Sequence, residues 1–361
     1  MRPFGGGIRV LFALLLTSQS VLAGPIFSFT LGGGITVGDQ VYNGFNQAAA
    51  RWSSVLSDNV TIRLTIGYKS LGSGILGSTT GAFYDVSDSA VKAALAADAK
   101  SADDATAVSH LQSAGSNNFV INHTNNCGDC STPYLSSGSN FDNTHVAVTG
   151  AQARALGLVP GNYGASDGEI DFSSNFNFDF DPSNGINSGA FDFVGVATHE
   201  IGHLLGFVST VDDYDYCGSV LNCVPSRNGT ALSENEDDPT VLDYFRFSTN
   251  SGFGTRMDQS SDNRSKYFSI DGGTTLGPLF SNGTNFGDGR QASHWKDNLG
   301  IGIMDPTAAP GELLGISRND IRALDVIGWD VATPEPGTTG LLGVGLMTVV
   351  VRLRRTRRNV L

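Results

Sequence analysis

The sequence predicts an α+β fold in two lobes with one buried helix between them, and three observations predict it. Segments of period 2 and period 3.6 are interleaved through the first half of the chain. An apolar run leads into a polar motif at helical spacing near residue 200, and beyond Gly206 the composition shifts to Gly, Ser, Asn and Asp-rich loops with short strands. Residues 24–332 are enough to bury a large core as one unit, and they show no internal repeat.

Taken in order, residues 1–23 read as a secretory signal peptide. Arg2 and Arg9 flank its start, residues 10–16 form an apolar core, and Val21 and Ala23 suit cleavage after Ala23. That core is far shorter than the ~20 residues a membrane span requires. Residues 43–56 (NGFNQAAARWSSVL) read as an amphipathic helix, and 60–68 (VTIRLTIGY) alternate as a half-buried strand does. Helices are expected at 89–100 and 102–112, strands near 119–122 and 145–148, and a helix near 151–156. The alternation GEIDFSSNFNFDFD at 168–181 reads as a strand, and the apolar residues of 189–198 fall at the spacing of a helix buried through the middle of a domain. Short strands follow at 242–247 and 267–270, inside a loose segment 212–286. Residues 317–327 (SRNDIRALDVI) read as a helix capped by Ser317, with Ile321, Leu324 and Ile327 on one face, and Gly328-Trp329 ends the fold. The expected division is an N-terminal lobe to about residue 206 and a C-terminal lobe at 207–332, with 212–286 as an insertion bordering the cleft.

The buried helix carries His199-Glu200-Ile201-Gly202-His203-Leu204-Leu205-Gly206. Residues four apart on a helix lie one above the other, so both imidazoles can offer a ring nitrogen to one zinc ion. Neutral nitrogen ligands leave the ion enough positive charge to acidify a water and polarise a carbonyl, provided one coordination position stays open. Glu200, beside the first histidine, is placed to take the proton of that water and pass it to a leaving amine. Gly206 suits a helix end whose backbone turns into a left-handed conformation.

H-E-x-x-H-x-x-G resembles the metzincin clan of zinc metalloproteases, whose usual continuation places a third histidine or an aspartate three residues after the glycine. Here that position is Ser209, a weak ligand. Among the six histidines, His294 has suggestive company in Ala292-Ser293-His294-Trp295, followed by Gly302-Ile303-Met304-Asp305-Pro306. Leishmanolysin-like metzincins are similar at these points: a long insertion separates the glycine from a distant third histidine, and a methionine turn follows as an apolar floor to the site. The resemblance implies a two-lobed zincin-like catalytic domain with a mixed sheet and an active-site helix, zinc held by His199, His203 and His294, Glu200 as base and Met304 in the Met-turn. It also implies that the 168–181 strand edges the cleft and pairs with extended substrate. Asp212 is the alternative third ligand, Asp213 lies beside it, and Glu234 or Glu236 would complete the site in a different clan that leaves Gly206 without a purpose.

Composition sets the compartment. The whole chain carries a formal charge of −13, and the body is more acidic still because two arginines lie in the signal and five near the C-terminus. Such a surface excludes binding of nucleic acid through phosphates. The four cysteines fall as two close pairs, Cys127 with Cys130 and Cys217 with Cys223, which in a secreted chain implies local disulfides. A structural zinc on His123, Cys127 and Cys130 is the competing use, short of a fourth ligand. Asp179-Phe180-Asp181-Pro182-Ser183-Asn184-Gly185 offers oxygens to Ca2+ without a complete EF-hand spacing.

Residues 333–361 join Thr333-Pro334-Glu335-Pro336, an apolar run at 341–351 and a basic cluster of Arg352, Arg354, Arg355, Arg357 and Arg358. This resembles the PEP-CTERM sorting signal of Gram-negative bacteria, which implies transient membrane contact and cutting by a sortase-like enzyme. The arginines would hold the tail on the cytoplasmic side. The expectation is a secreted or cell-surface zinc endopeptidase acting on proteins or peptides. The contrasting class is a surface or matrix binding protein with a structural metal, but such a site needs four ligands and no base.

Overall fold

A computed structural model describes residues 24–122, 132–138, 141–160, 164–213, 215, 238–250 and 252–332. In chain order the first half contains β1 (Ile26–Leu31), α1 (Gln40–Ser53), β2 (Thr61–Lys69), β3 (Gly77–Gly81), β4 (Phe83–Ser87), α2 (Asp88–Asp98), α3 (Ala102–His110), β5 (Phe119–Asn122) and β6 (Pro133–Ser136). Next come α4 (Phe141–Thr144), β7 (His145–Thr149), α5 (Gly150–Ala155), β8 (Gly168–Ser173), β9 (Phe178–Asp179), β10 (Phe191–Asp192) and α6 (Phe193–Leu204). The second half contributes β11 (Arg246–Asn250), β12 (Gly254–Asp258), β13 (Lys266–Phe268), β14 (Leu279–Phe280) and α7 (Arg318–Val326).

The α+β expectation holds, as does a mixed sheet. One sheet has the order β1-β2-β8-β3, with β1, β2 and β8 parallel and β3 antiparallel to β8. β2 keeps the alternation of a half-buried strand, placing Ile62, Leu64 and Ile66 of one face in the core and leaving Thr61, Arg63 and Thr65 partly exposed on the other. The 168–181 strand therefore does not edge the cleft. β8 is enclosed between β2 and β3, and β3 is the terminal strand. The second half of that alternating stretch forms only the short β9, paired with β10 in a separate ladder.

α6 is apolar almost all round, as a helix through a domain interior must be, and ten of its residues from Phe193 to Leu204 are buried. Asp192 caps its N-terminus by accepting from the Gly195 amide. α1 packs along it closely because Gly44 has no side chain: a Cβ there would lie 2.4 Å from the Phe193 ring. Trp52 then donates its indole N–H to the Thr198 carbonyl at 2.8 Å, and Trp329 does the same for Leu205 at 2.7 Å. Rings of Phe45, Phe172 and Phe193 complete the packing, the last two 4.3 Å apart.

A second sheet, in the order β14-β13-β11-β12-β5-β6, crosses the expected lobe boundary. β5 and β6 come from before residue 206, yet β5 pairs with β12 in parallel. The division at 206 thus does not describe how the strands assemble, because backbone donors of the 254–258 strand find their partners in the first half of the chain. Residues 242–247 also differ from expectation, forming a 3-10 turn at Leu242–Phe245 before β11 begins.

Candidate metal centre

α6 sets His199 and His203 one turn apart, and the loop before Trp295 brings His294 to them. Their Nε2 atoms lie 3.0 Å (203 to 199), 3.2 Å (203 to 294) and 3.3 Å (294 to 199) apart. Each Nδ1 faces a backbone carbonyl: Ile303 at 2.8 Å for His199, Phe207 at 2.8 Å for His203 and Gln291 at 3.1 Å for His294. A carbonyl can only accept, so Nδ1 carries the hydrogen and every Nε2 is left with a bare lone pair. Three lone pairs converging within van der Waals distance repel unless a cation lies between them. Nitrogens about 2.0–2.1 Å from a tetrahedral zinc stand about 3.3–3.4 Å from one another, so the donor set fits zinc in spacing and in chemistry. Among the described residues this is the one group of three or more His, Cys, Asp or Glu side chains arranged to hold a metal.

Electrostatics favour the same protonation states. Burial lowers His203 to about 3, helped by the neighbouring His199, and it drives His294 well below the ordinary histidine value. Both rings stay neutral and able to ligate. Burial pushes the Glu200 carboxyl up, opposed by His199 and by a hydrogen bond from Thr79. Thr79 Oγ1 on β3 lies 2.7 Å from Glu200 Oε2 and 2.9 Å from the Glu200 carbonyl oxygen.

The helix end is built as the motif requires. Gly206 has φ +111°, and the Phe207 amide donates back to the Gly202 carbonyl at 3.1 Å, so the chain reverses directly after the second histidine. Met304 forms the floor: a Cβ on Gly202 would lie 2.4 Å from its sulfur. Asp320, fully buried, fixes this floor and the third histidine together. It accepts from the Trp295 indole at 2.8 Å, the Ile303 amide at 2.9 Å, the Met304 amide at 3.3 Å and the Ser317 amide at 2.7 Å.

Ser209, at the position of the usual third ligand, reaches the site by another route. Its amide donates to Ser293 Oγ at 2.9 Å, next to His294, and its hydroxyl is held by Asp243 at 2.6 Å. Asp212 is not in the histidine cluster. Its carboxylate accepts from the Ala292 amide at 2.6 Å and from Thr284, and so holds the loop that carries His294. Asp179 and Asp181, the Ca2+ candidates, accept from local donors: Asp179 from Asp181 and Asn187, Asp181 from Ser183. His110 bonds only within its own helix turn and its Ser109 neighbour, and His145 faces Thr144. Cys127, Cys130, Cys217, Cys223, His123, Glu234 and Glu236 lie outside the described residues, as do the signal and 333–361.

Three residues escaped sequence reasoning. Asp320 had a legible signal as N3 of the Ser317 capping box; Thr79 and Gly77 had none, because GSTTG lacks an apolar alternation.

The site opens into a cleft of about 700 Å3, bordered by β3, Val196, Arg290, Pro306 and Ala308. Residues 332–355 match the family described as the PEP-CTERM protein-sorting motif. The chain is accordingly an extracellular or cell-surface protein of Gram-negative bacteria, and its tail implies processing by an exosortase-type, sortase-like system. No curated protein and no solved structure matches the chain. No helix among the described residues is long and apolar enough to cross a membrane.

Proposed function

We propose that the chain is a zinc-dependent endopeptidase of metzincin type, related in plan to leishmanolysin-like enzymes. The carrying observation is the convergence of three histidine Nε2 atoms beside a buried carboxylate, in a cleft bordered by a strand that is terminal in its sheet among the described residues. Zinc, when bound, supplies Lewis acidity that lowers the pKa of water and polarises a carbonyl.

The remaining chemistry belongs to the side chains. Glu200 accepts the proton of the attacking water at its carboxylate and returns it to the departing amine, and burial keeps its basicity high enough for both transfers. β3 has no strand on its outer side among the described residues, and the amides and carbonyls of that edge provide for an extended peptide backbone, so that sequence-tolerant holding comes from main-chain hydrogen bonds. His294, 7 % exposed, lines the cleft together with His199 and His203.

Casein hydrolysis tests the proposal. Activity that chelation abolishes and zinc restores, and that Glu200→Gln removes while zinc remains bound, is the expected result. Hydrolysis persisting in Glu200→Gln would discredit the base, and bound zinc without any hydrolysis would favour a structural metal.

A further inference from the structure

β3 does two things that a substrate edge alone does not require. Its alternating side chains place Gly77, Thr79 and Gly81 on the face away from solvent and Ser78 and Thr80 on the exposed face. From that inner face Thr79 reaches Oε2 of Glu200, while Gly77 faces the other carboxylate oxygen: a Cβ at 77 would lie 2.8 Å from Oε1 and 3.0 Å from Cγ. One oxygen of the base is therefore tethered, and the other has space only because residue 77 has no side chain.

We propose that Thr79 is the positioning residue of the base, fixing the rotation of the Glu200 carboxylate so that Oε1 is the oxygen that receives the proton of water. This deepens the endopeptidase reading and rests on it. A carboxylate on a three-bond stem rotates freely about its last bond, and the two oxygens are equivalent until something distinguishes them. A hydrogen bond from a hydroxyl to an ionised oxygen is strong enough to do so, especially where water is excluded. The tether has a second consequence: the hydroxyl belongs to the strand expected to hold substrate backbone, so a peptide that seats on β3 also stiffens the support of the base. The Glu200 carbonyl, 2.9 Å from the same hydroxyl, is the competing acceptor for its single hydrogen, and the carboxylate oxygen is the nearer of the two at 2.7 Å.

Kinetics of Thr79→Val, Thr79→Ser and Gly77→Ala on a quenched peptide, with zinc content and Tm measured alongside, test the inference. Val keeps the shape and β-branching of Thr and removes only the tether. The expected result is a fall in kcat of about 10- to 100-fold with KM and zinc stoichiometry unchanged, since displacement of a supporting group costs that much without disturbing binding. Thr79→Ser keeps kcat within about 3-fold of wild type, which a purely structural role would not allow, because Ser gives up the methyl that Val keeps and retains the hydroxyl that Val lacks. Gly77→Ala, whose Cβ would crowd Oε1, lowers kcat with zinc retained, and an unchanged kcat there overturns the assignment of Oε1 even if Thr79→Val does not fold. An unchanged kcat in Thr79→Val, or equal losses in Val and Ser, overturns the role of Thr79 while leaving the enzyme intact. Wild-type protein that hydrolyses nothing removes the endopeptidase reading and this inference together.

Discussion

The three histidines reach one point by two unlike routes. His199 and His203 owe their relation to helix geometry: one turn of α6 fixes it, and Trp52, Trp329 and the Gly206 reversal hold the helix itself. His294 has no regular element beneath it. Its loop is fastened from outside by Asp212 at Ala292, by Ser209 at Ser293 and by Asp320 at Trp295. A pair of ligands on a helix costs little ordering beyond the helix, whereas a ligand on a loop has to be held by buried acceptors drawn from elsewhere. On the proposed zinc reading, carboxylates outside the ligand set decide whether the third histidine is held in place.

Breaking the loop's anchor should have the largest effect. Asp320→Ala leaves the indole N–H of Trp295 and the amides of Ile303, Met304 and Ser317 without their shared acceptor, in a fully buried place. A loss of about 3 kcal/mol or more in urea unfolding is expected, with zinc content falling as the floor and the third ligand loosen together. Stability within 1 kcal/mol of wild type would show that the loop is held by something else.

Asp212→Ala should separate the routes more finely. Only the loop loses its fastening, so far-ultraviolet circular dichroism should stay native while zinc affinity drops by about 10- to 100-fold. The same substitution would abolish binding outright if Asp212 were itself a ligand, and competition against a zinc chelator distinguishes these outcomes.

The smallest effect is a pH signature that distinguishes the metal centre from the seam where the end of the fold meets its beginning. At that seam burial, with Asp330 and other carboxylates nearby, raises Asp58 to about 7, and burial likewise raises Asp325 to about 7. A carboxyl raised in the folded state contributes stability that is present below its unfolded value and is lost as pH rises through the folded one. Asp58→Asn should therefore raise Tm at pH 8 and leave it unchanged at pH 4. His203 runs the opposite way: with its folded value lowered from 6.5 to about 3, its contribution in zinc-free protein is present above pH 6.5 and fades as pH falls toward 3. Thermal melts of chelated wild type and Asp58→Asn should consequently diverge on the alkaline side alone. A shift of equal size at both pH values would contradict the assignment.

Much of this arrangement could be read from residues in a row. The 43–56 and 317–327 helices and the 60–68 strand announced themselves through apolar periodicity, and each was found within a few residues at α1, α7 and β2. His199, Glu200 and His203 share little more than one turn of α6 and Gly206 follows directly after its end, so local spacing contains their geometry. His294 was legible through scarcity and company rather than spacing. The edge strand was not legible at all: Gly77 and Thr79 matter for what they meet on α6, and a short glycine-bounded stretch carries no period that reveals a partner. The loop-anchoring role of Asp212, which the sequence offers only as the alternative third ligand, was not legible for a related reason. A carboxylate eight residues beyond the helix end is chemically able to ligate if the chain doubles back, and only the tertiary fold shows its oxygens turned to the Ala292 and Thr284 amides.

X-ray absorption at the zinc edge, on wild type and on His294→Ala after equilibration with one equivalent of zinc, tests the central claim most directly. Wild type should show three imidazole nitrogens and one oxygen at about 2.0–2.1 Å, and the variant the loss of one nitrogen from that shell together with weakened binding. A spectrum unchanged by His294→Ala, or a wild-type ion coordinated by fewer than three imidazoles, would contradict it.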